Sequence, residues 1–324
     1  MTVRPPAGRW MAVLGALFVL LLVGWRVWAQ TPRLPAPLKP PPAHPNVHYG
    51  PHDRNVLDVW RARPAPGGAV GTPLVVFFHG GGFRQGDKNA IPARLLVKCL
   101  GAGIAVASAN YRLSQDAPYP APMRDGARAI QYLRLHAREF GIDPARIAAS
   151  GSSAGAGIAL WVGFHDDLAD PNSPDPVLRQ SSRVACLGVD GAQTSYDPRF
   201  IRRVIGGRAH EHSALKPFFG LANSELGTVK AHRLFEDASP IQHSSSDDPP
   251  VILFYAEPDE PLPADSRAGQ GIHHPRFGAA LKSRLDPLGV ECVVRHVQDF
   301  PEPADPDETK FREMVAFFAR HLRD

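Results

Sequence analysis

Gly151-Ser152-Ser153-Ala154-Gly155 follows the apolar run 147–149 and opens the small-residue stretch 154–164. A strand-like run, a glycine-flanked turn and a helix-like run, in that order, make a strand–turn–helix unit. Such a turn projects the hydroxyl of its central residue, Ser153, while Gly151 and Gly155 leave room for the chain to reverse. The helix behind it begins with unpaired N–H groups that favour developing negative charge. Ser152 is adjacent, but the register of the pattern puts Ser153 at the apex.

Working upstream, His79-Gly80-Gly81-Gly82-Phe83 directly follows a continuous apolar run at 74–78. Consecutive glycines let the backbone approach a ligand and aim N–H groups at it. Together with the N–H of Ala154, those of Gly81 and Gly82 would hold a tetrahedral oxyanion. His79, at the strand end, reads as a brace for the glycine loop rather than as a base. Neither loop has the G-x-G-x-x-G order of a dinucleotide site.

Further strand-like runs occupy 56–60, 104–109, 184–189, 251–255 and 290–297. Helical stretches fall at 91–100, 122–140, 277–285 and 310–322. In the second of these Met123, Ile130, Leu133 and Phe140 lie near one face, and Gly141 supplies the stop. Buried strands alternating with helices of this length define an α/β three-layer sandwich around a mostly parallel sheet. Two segments break the alternation: the polar loop 166–182, and 196–238, a small helical cap over one end of the sheet. Ligands of such folds bind beyond the carboxyl ends of the strands, so a cap there shapes the pocket.

The chain of 324 residues is long enough for one large domain. Its net charge is only +4, and its arginines are interspersed with acids, which argues against nucleic-acid partners. Arg4 and Arg9 precede an apolar run from Trp10 to Gly24, so residues 1–29 read as a signal peptide cut near Ala29 or as an uncleaved membrane anchor. Both readings export the domain to the periplasm or beyond. Residues 30–46 read as a Pro-rich tether and 47–324 as the folded domain. Cys99, Cys186 and Cys292 sit in apolar segments without ligand spacing, which predicts buried thiols and no metal site.

From about Val47 to the C-terminus the chain resembles the α/β-hydrolase superfamily, in particular its hormone-sensitive-lipase-like and feruloyl-esterase-like (BD-FAE-like) carboxylesterases. The resemblance rests on the two glycine motifs and on Asn110-Tyr111-Arg112-Leu113 and Gly141-Ile142-Asp143-Pro144. It also includes Ala238-Ser239-Pro240-Ile241 ahead of Pro249-Pro250-Val251. It implies hydrolysis of small acyl, aryl or acylated-sugar esters, without a cofactor, through an acyl-enzyme on Ser153. It assigns the acid to Asp259, just beyond the strand 251–255, with Glu257 as the fallback. It also implies a histidine in a loop after the last strand, where this chain has Val297-Gln298-Asp299-Phe300-Pro301. His296 is the nearest substitute, followed by His273 and His274, and then by His210 or His212 in the cap. If none reaches Ser153, the serine is a poor nucleophile. The chain would then be a binding protein on a hydrolase scaffold; a serine peptidase is a third reading.

Overall fold

The computed structural model describes residues 35–63, 71–300 and 305–323. The expected signal or anchor at 1–29 and the first residues of the tether lie outside the described residues. Residues 35–43 have no regular structure but are held close, since the Trp60 indole donates to the Pro40 carbonyl at 2.8 Å. Among the described residues no helix is long and apolar enough to cross a membrane.

Eight strands form one sheet: β1 (His44–His48), β2 (Val56–Trp60), β3 (Thr72–Phe78), β4 (Ala105–Ala109), β5 (Ile142–Ser152), β6 (Leu187–Asp190), β7 (Val251–Tyr255) and β8 (Cys292–His296). Their order is β1-β2-β4-β3-β5-β6-β7-β8. β1 and β2 pair antiparallel at one edge, and every pairing from β4 to β8 is parallel. The helices are α1 (Ala93–Gly101), α2 (Ala121–Leu135), α3 (Ala137–Phe140), α4 (Ala154–Phe164), α5 (Pro198–Val204), α6 (Leu215–Phe219), α7 (Val229–Asp237), α8 (Arg276–Leu285) and α9 (Pro306–His321).

Strand alternation builds two cores. Leu74, Val76 and Phe78 of β3 face one layer, packed with Met123, Ile130 and Leu133 of α2, Ile158 of α4 and Phe277 of α8. Val75 and Phe77 face the other, against Leu95 and Leu96 of α1 and Phe311, Met314 and Phe318 of α9. The continuous apolar strands follow from that two-sided burial.

Two expected elements differ in detail. The helix expected over 122–140 breaks at His136 into α2 and α3, and Gly141 closes it with φ 68°. β5 is much longer than the apolar run 147–149. Its first half is a polar excursion in which Asp143 accepts from the Ala145 N–H and the Arg146 guanidinium, and its pairing with β3 shifts register there. Polarity hid a strand that the neighbouring β3 supports. Residues 196–238 do form a helical layer, from α5 to α7. Its Ile201, Phe218, Phe219 and Phe235 join the same core as β3, so the cap is fused to the domain. Cys99, Cys186 and Cys292 are buried free thiols. Burial pushes Cys186 and Cys292 up to about 12 and Cys99 higher still, so none offers a thiolate near neutrality.

Candidate active site

The turn between β5 and α4 holds Ser153 at φ 52°, ψ −118°, a backbone conformation that side chains rarely adopt. Its N–H is fixed by the Asp190 carbonyl at 2.9 Å. The flanking glycines are sterically required. A Cβ on Gly151 would lie 2.3 Å from the Gly155 backbone, and one on Gly155 would lie 2.0 Å from the Phe78 carbonyl oxygen. Ala154 is the first residue of α4, so its N–H has no intrahelical acceptor.

The glycine loop lies against this turn, a Cβ built on Gly80 falling 3.4 Å from the Ser153 Cβ. Gly81 and Gly82 have φ 121° and 61°, and Gly81 closes a tight turn by accepting from the Arg84 and Gln85 N–H groups. His79 is fully buried beneath the loop and stacks on Tyr111 at 4.3 Å. Arg54 can only donate to its Nε2 (3.3 Å), so Nδ1 carries the proton and donates to the Gly80 carbonyl at 2.7 Å. Burial holds His79 down at about 4, hence neutral at physiological pH. The Tyr111 hydroxyl donates to the His79 carbonyl, Asn110 accepts from the Lys88 N–H, and Arg112 donates to Asp125 from Nε and Nη2. The Asn-Tyr-Arg-Leu motif thus supports the glycine loop.

Of the histidines weighed from sequence, the structure brings one to Ser153. His273 Nε2 lies 2.8 Å from Ser153 Oγ. On its other side, Glu257 Oε1 lies 3.6 Å from His273 Nδ1 and accepts the His273 backbone N–H at 3.2 Å. The imidazole rests against Gly191, where a Cβ would sit 3.3 Å from the ring. Burial lowers the His273 pKa below the ordinary histidine range, while the charges of Glu257 and Asp190 oppose that shift.

The other expected residues are placed elsewhere. His296 ends β8 in register with Tyr255, and its Nε2 donates to the Glu257 carbonyl at 2.7 Å, not to the serine. His274 is buried, its Nε2 donating to the Glu260 carbonyl at 2.9 Å. Asp259, expected as the acid, points outward with a 65% exposed side chain, 4.0 Å from His274 and 3.7 Å from Arg276. The physical reason is the turn itself: with two of its carbonyls tied to histidines, it turns Glu257 inward and Asp259 to solvent. Glu257 continues the parity of Leu253 and Tyr255 toward the cap-side core, a signal that could have singled it out. His210 and His212 lie in the cap; His212 borders the cavity and accepts from the Ala214 N–H.

In front of Ser153 is a cavity of about 200 Å³. Gly81 and Gly82 form one wall, Phe83, Tyr196, Leu215 and Phe218 the apolar side, and Gln193 and His212 the polar side. Phe83 stacks on Phe218 of the cap at 4.2 Å, tying the glycine loop to the lid of the pocket.

A β5–serine–α4 turn at the carboxyl end of a parallel sheet, faced by a glycine loop, defines an α/β-hydrolase. Within that superfamily the chain belongs to the BD-FAE family, whose model matches residues 58–268. Esterase LipQ of Mycobacterium tuberculosis is 30% identical over 256 residues, covering 78% of this chain and 56% of LipQ. Carboxylesterase NlhH of the same species is 39% identical over 242 residues, covering 66% of this chain and 74% of NlhH. The chain thus spans only about half the length of LipQ. In fold it is similar to a truncated carbohydrate esterase from gut microbiota, with TM-score 0.69 at 20% identity over 89% of this chain and 99% of the other.

Proposed function

We propose that the chain is a serine carboxylesterase with Ser153, His273 and Glu257 as nucleophile, base and acid. The 2.8 Å contact between Ser153 Oγ and His273 Nε2 carries this reading. His273 takes the serine proton as Oγ bonds to the ester carbonyl carbon. The N–H groups of Gly81, Gly82 and Ala154 stabilise the oxyanion. Collapse breaks the bond to the alcohol oxygen, which receives the proton from His273. Water, deprotonated by the same imidazole, then releases the carboxylic acid and restores the serine. Glu257, 3.6 Å from Nδ1, favours the Nδ1–H tautomer through its charge and stabilises the imidazolium in both halves. The low pKa of His273 keeps it neutral, hence able to accept, at pH 7.

The small cavity and its aromatic wall favour a short acyl group, and the esterase names of the relatives support an ester substrate. A non-catalytic binding role loses its main motivation once a histidine faces the serine. A fluorophosphonate probe should label the folded protein, and Ser153→Ala and His273→Ala should lose labelling together with hydrolysis of p-nitrophenyl acetate. Labelling and turnover that survive His273→Ala would overturn the assignment.

A further inference from the structure

At the opposite end of α4 from Ser153, three side chains from separate segments converge. His165 follows the helix, Asp237 ends α7, and His243 ends the 3-10 turn Pro240–His243. One ligand atom from each lies within 4.8 Å of the others, and the two imidazole rings are 4.6 Å apart. We propose that these residues form a site for a borderline divalent transition ion, with Zn²⁺ as the reference case, that staples the cap to the nucleophile helix.

The hydrogen bonds around the cluster argue for metal rather than for chance proximity. His243 Nε2 meets the Asp237 carbonyl at 2.7 Å, and His165 Nδ1 meets the Asp166 carbonyl at 3.4 Å. A carbonyl only accepts, so each of these nitrogens carries the proton. The lone pairs are therefore left on His243 Nδ1 and His165 Nε2. Metal-binding histidines show this arrangement, with the second N–H given to a carbonyl that fixes ring and tautomer. Asp237 is positioned in the same way: its carbonyl also accepts from the Trp161 indole at 3.0 Å, and its Oδ2 accepts from the Tyr119 hydroxyl. Oδ1 remains for an ion. Two imidazoles and one carboxylate suit zinc and its neighbours better than hard cations. Ligand atoms around Zn²⁺ lie about 3.3 Å apart, given bonds of about 2.0–2.1 Å. Side-chain rotation of the partly exposed His165 and His243 rings would close the remaining gap of up to about 1.5 Å.

The test is a thermal-unfolding titration of the full chain with ZnCl₂ after chelator treatment, repeated with His165→Gln and His243→Gln. At a hundredfold excess over Kd the wild type should gain about 5 °C in Tm, and MgCl₂ should give no gain. Both variants should keep fluorophosphonate labelling of Ser153 and lose most of the gain. CoCl₂ should produce a visible d–d band in the wild type that both variants lack. No zinc-dependent gain in the wild type, or an equal gain and band in both variants, would overturn the proposal. Metal-free Tm values and labelling show whether either variant is folded; if one is not, the other decides.

Discussion

Replacing Glu257 by glutamine keeps the volume of the side chain and removes its charge from His273. The Glu257 Oε1–His273 Nδ1 separation is 3.6 Å. At an effective dielectric near 20 a full charge pair at that distance is worth about 4–5 kcal/mol. Both side chains are about one-third exposed, so solvent screening reduces this to roughly 1–2 kcal/mol. That alone lowers the imidazole pKa and slows acyl transfer by about 5- to 30-fold. The amide can also turn its NH₂ toward Nδ1 and favour the tautomer that cannot accept the serine proton. Together these effects predict a fall in kcat/KM of about 10²–10⁴. Since Glu257 raises the His273 pKa, its loss moves the acid limb of the pH–rate profile to lower pH. The wild-type limb should itself lie below the ordinary histidine value of 6.5. Asp259→Asn, at the exposed position, should stay within about threefold of wild type. Hydrolysis of p-nitrophenyl acetate from pH 4.5 to 9 reads both quantities. Glu257 is not the acid if Asp259→Asn costs as much as Glu257→Gln, or if the acid limb moves upward.

Three other outcomes follow from separate features. His79 is about 4 when folded against 6.5 when unfolded, so no stability difference arises above pH 6.5. As pH falls the unfolded chain protonates first, and about 3 kcal/mol is lost by pH 4; denaturant midpoints should fall less steeply over that window in His79→Gln. Ser153→Gly should unfold about 1 kcal/mol later than Ser153→Ala, because only glycine relaxes the φ of 52°. Equal midpoints would mean that this turn stores no strain. Gly157→Ala places a methyl 1.7 Å from the Tyr196 hydroxyl, so calorimetry should show a loss of about 2 kcal/mol or more. Because Tyr196 lines the cavity, KM for p-nitrophenyl butyrate should rise as well.

The sequence made the sheet readable because its parallel strands are buried on both faces and therefore appear as unbroken apolar runs. α4 and β7 were legible to the residue, Ser153 sat in a recognisable turn, and the glycine loop was equally plain. β5 was not, since Asp143 and Arg146 satisfy each other inside a stretch that reads as loop. The proposed acid–base pair was obscure for a different reason. Which carboxylate of Glu257-Pro258-Asp259-Glu260 faces inward depends on carbonyls bound by His296 and His274, residues distant in sequence or pointing away from Ser153. Periodicity carries no information about such loop-to-loop bonds. His273 and His274 are adjacent and chemically identical, yet one meets the serine and its neighbour is buried against a carbonyl.

Glu257 and His273 both belong to the excursion that leaves β7 at Tyr255 and rejoins the fold at Arg276. Where the base instead follows the final strand, two loops must keep pace with each other as sequences diverge. In the proposed assignment one contiguous segment, 256–275, supplies both the acid and the base. On the proposed assignment the base comes from this segment rather than from the connection after β8, and His296 ties the end of β8 to it through the Glu257 carbonyl.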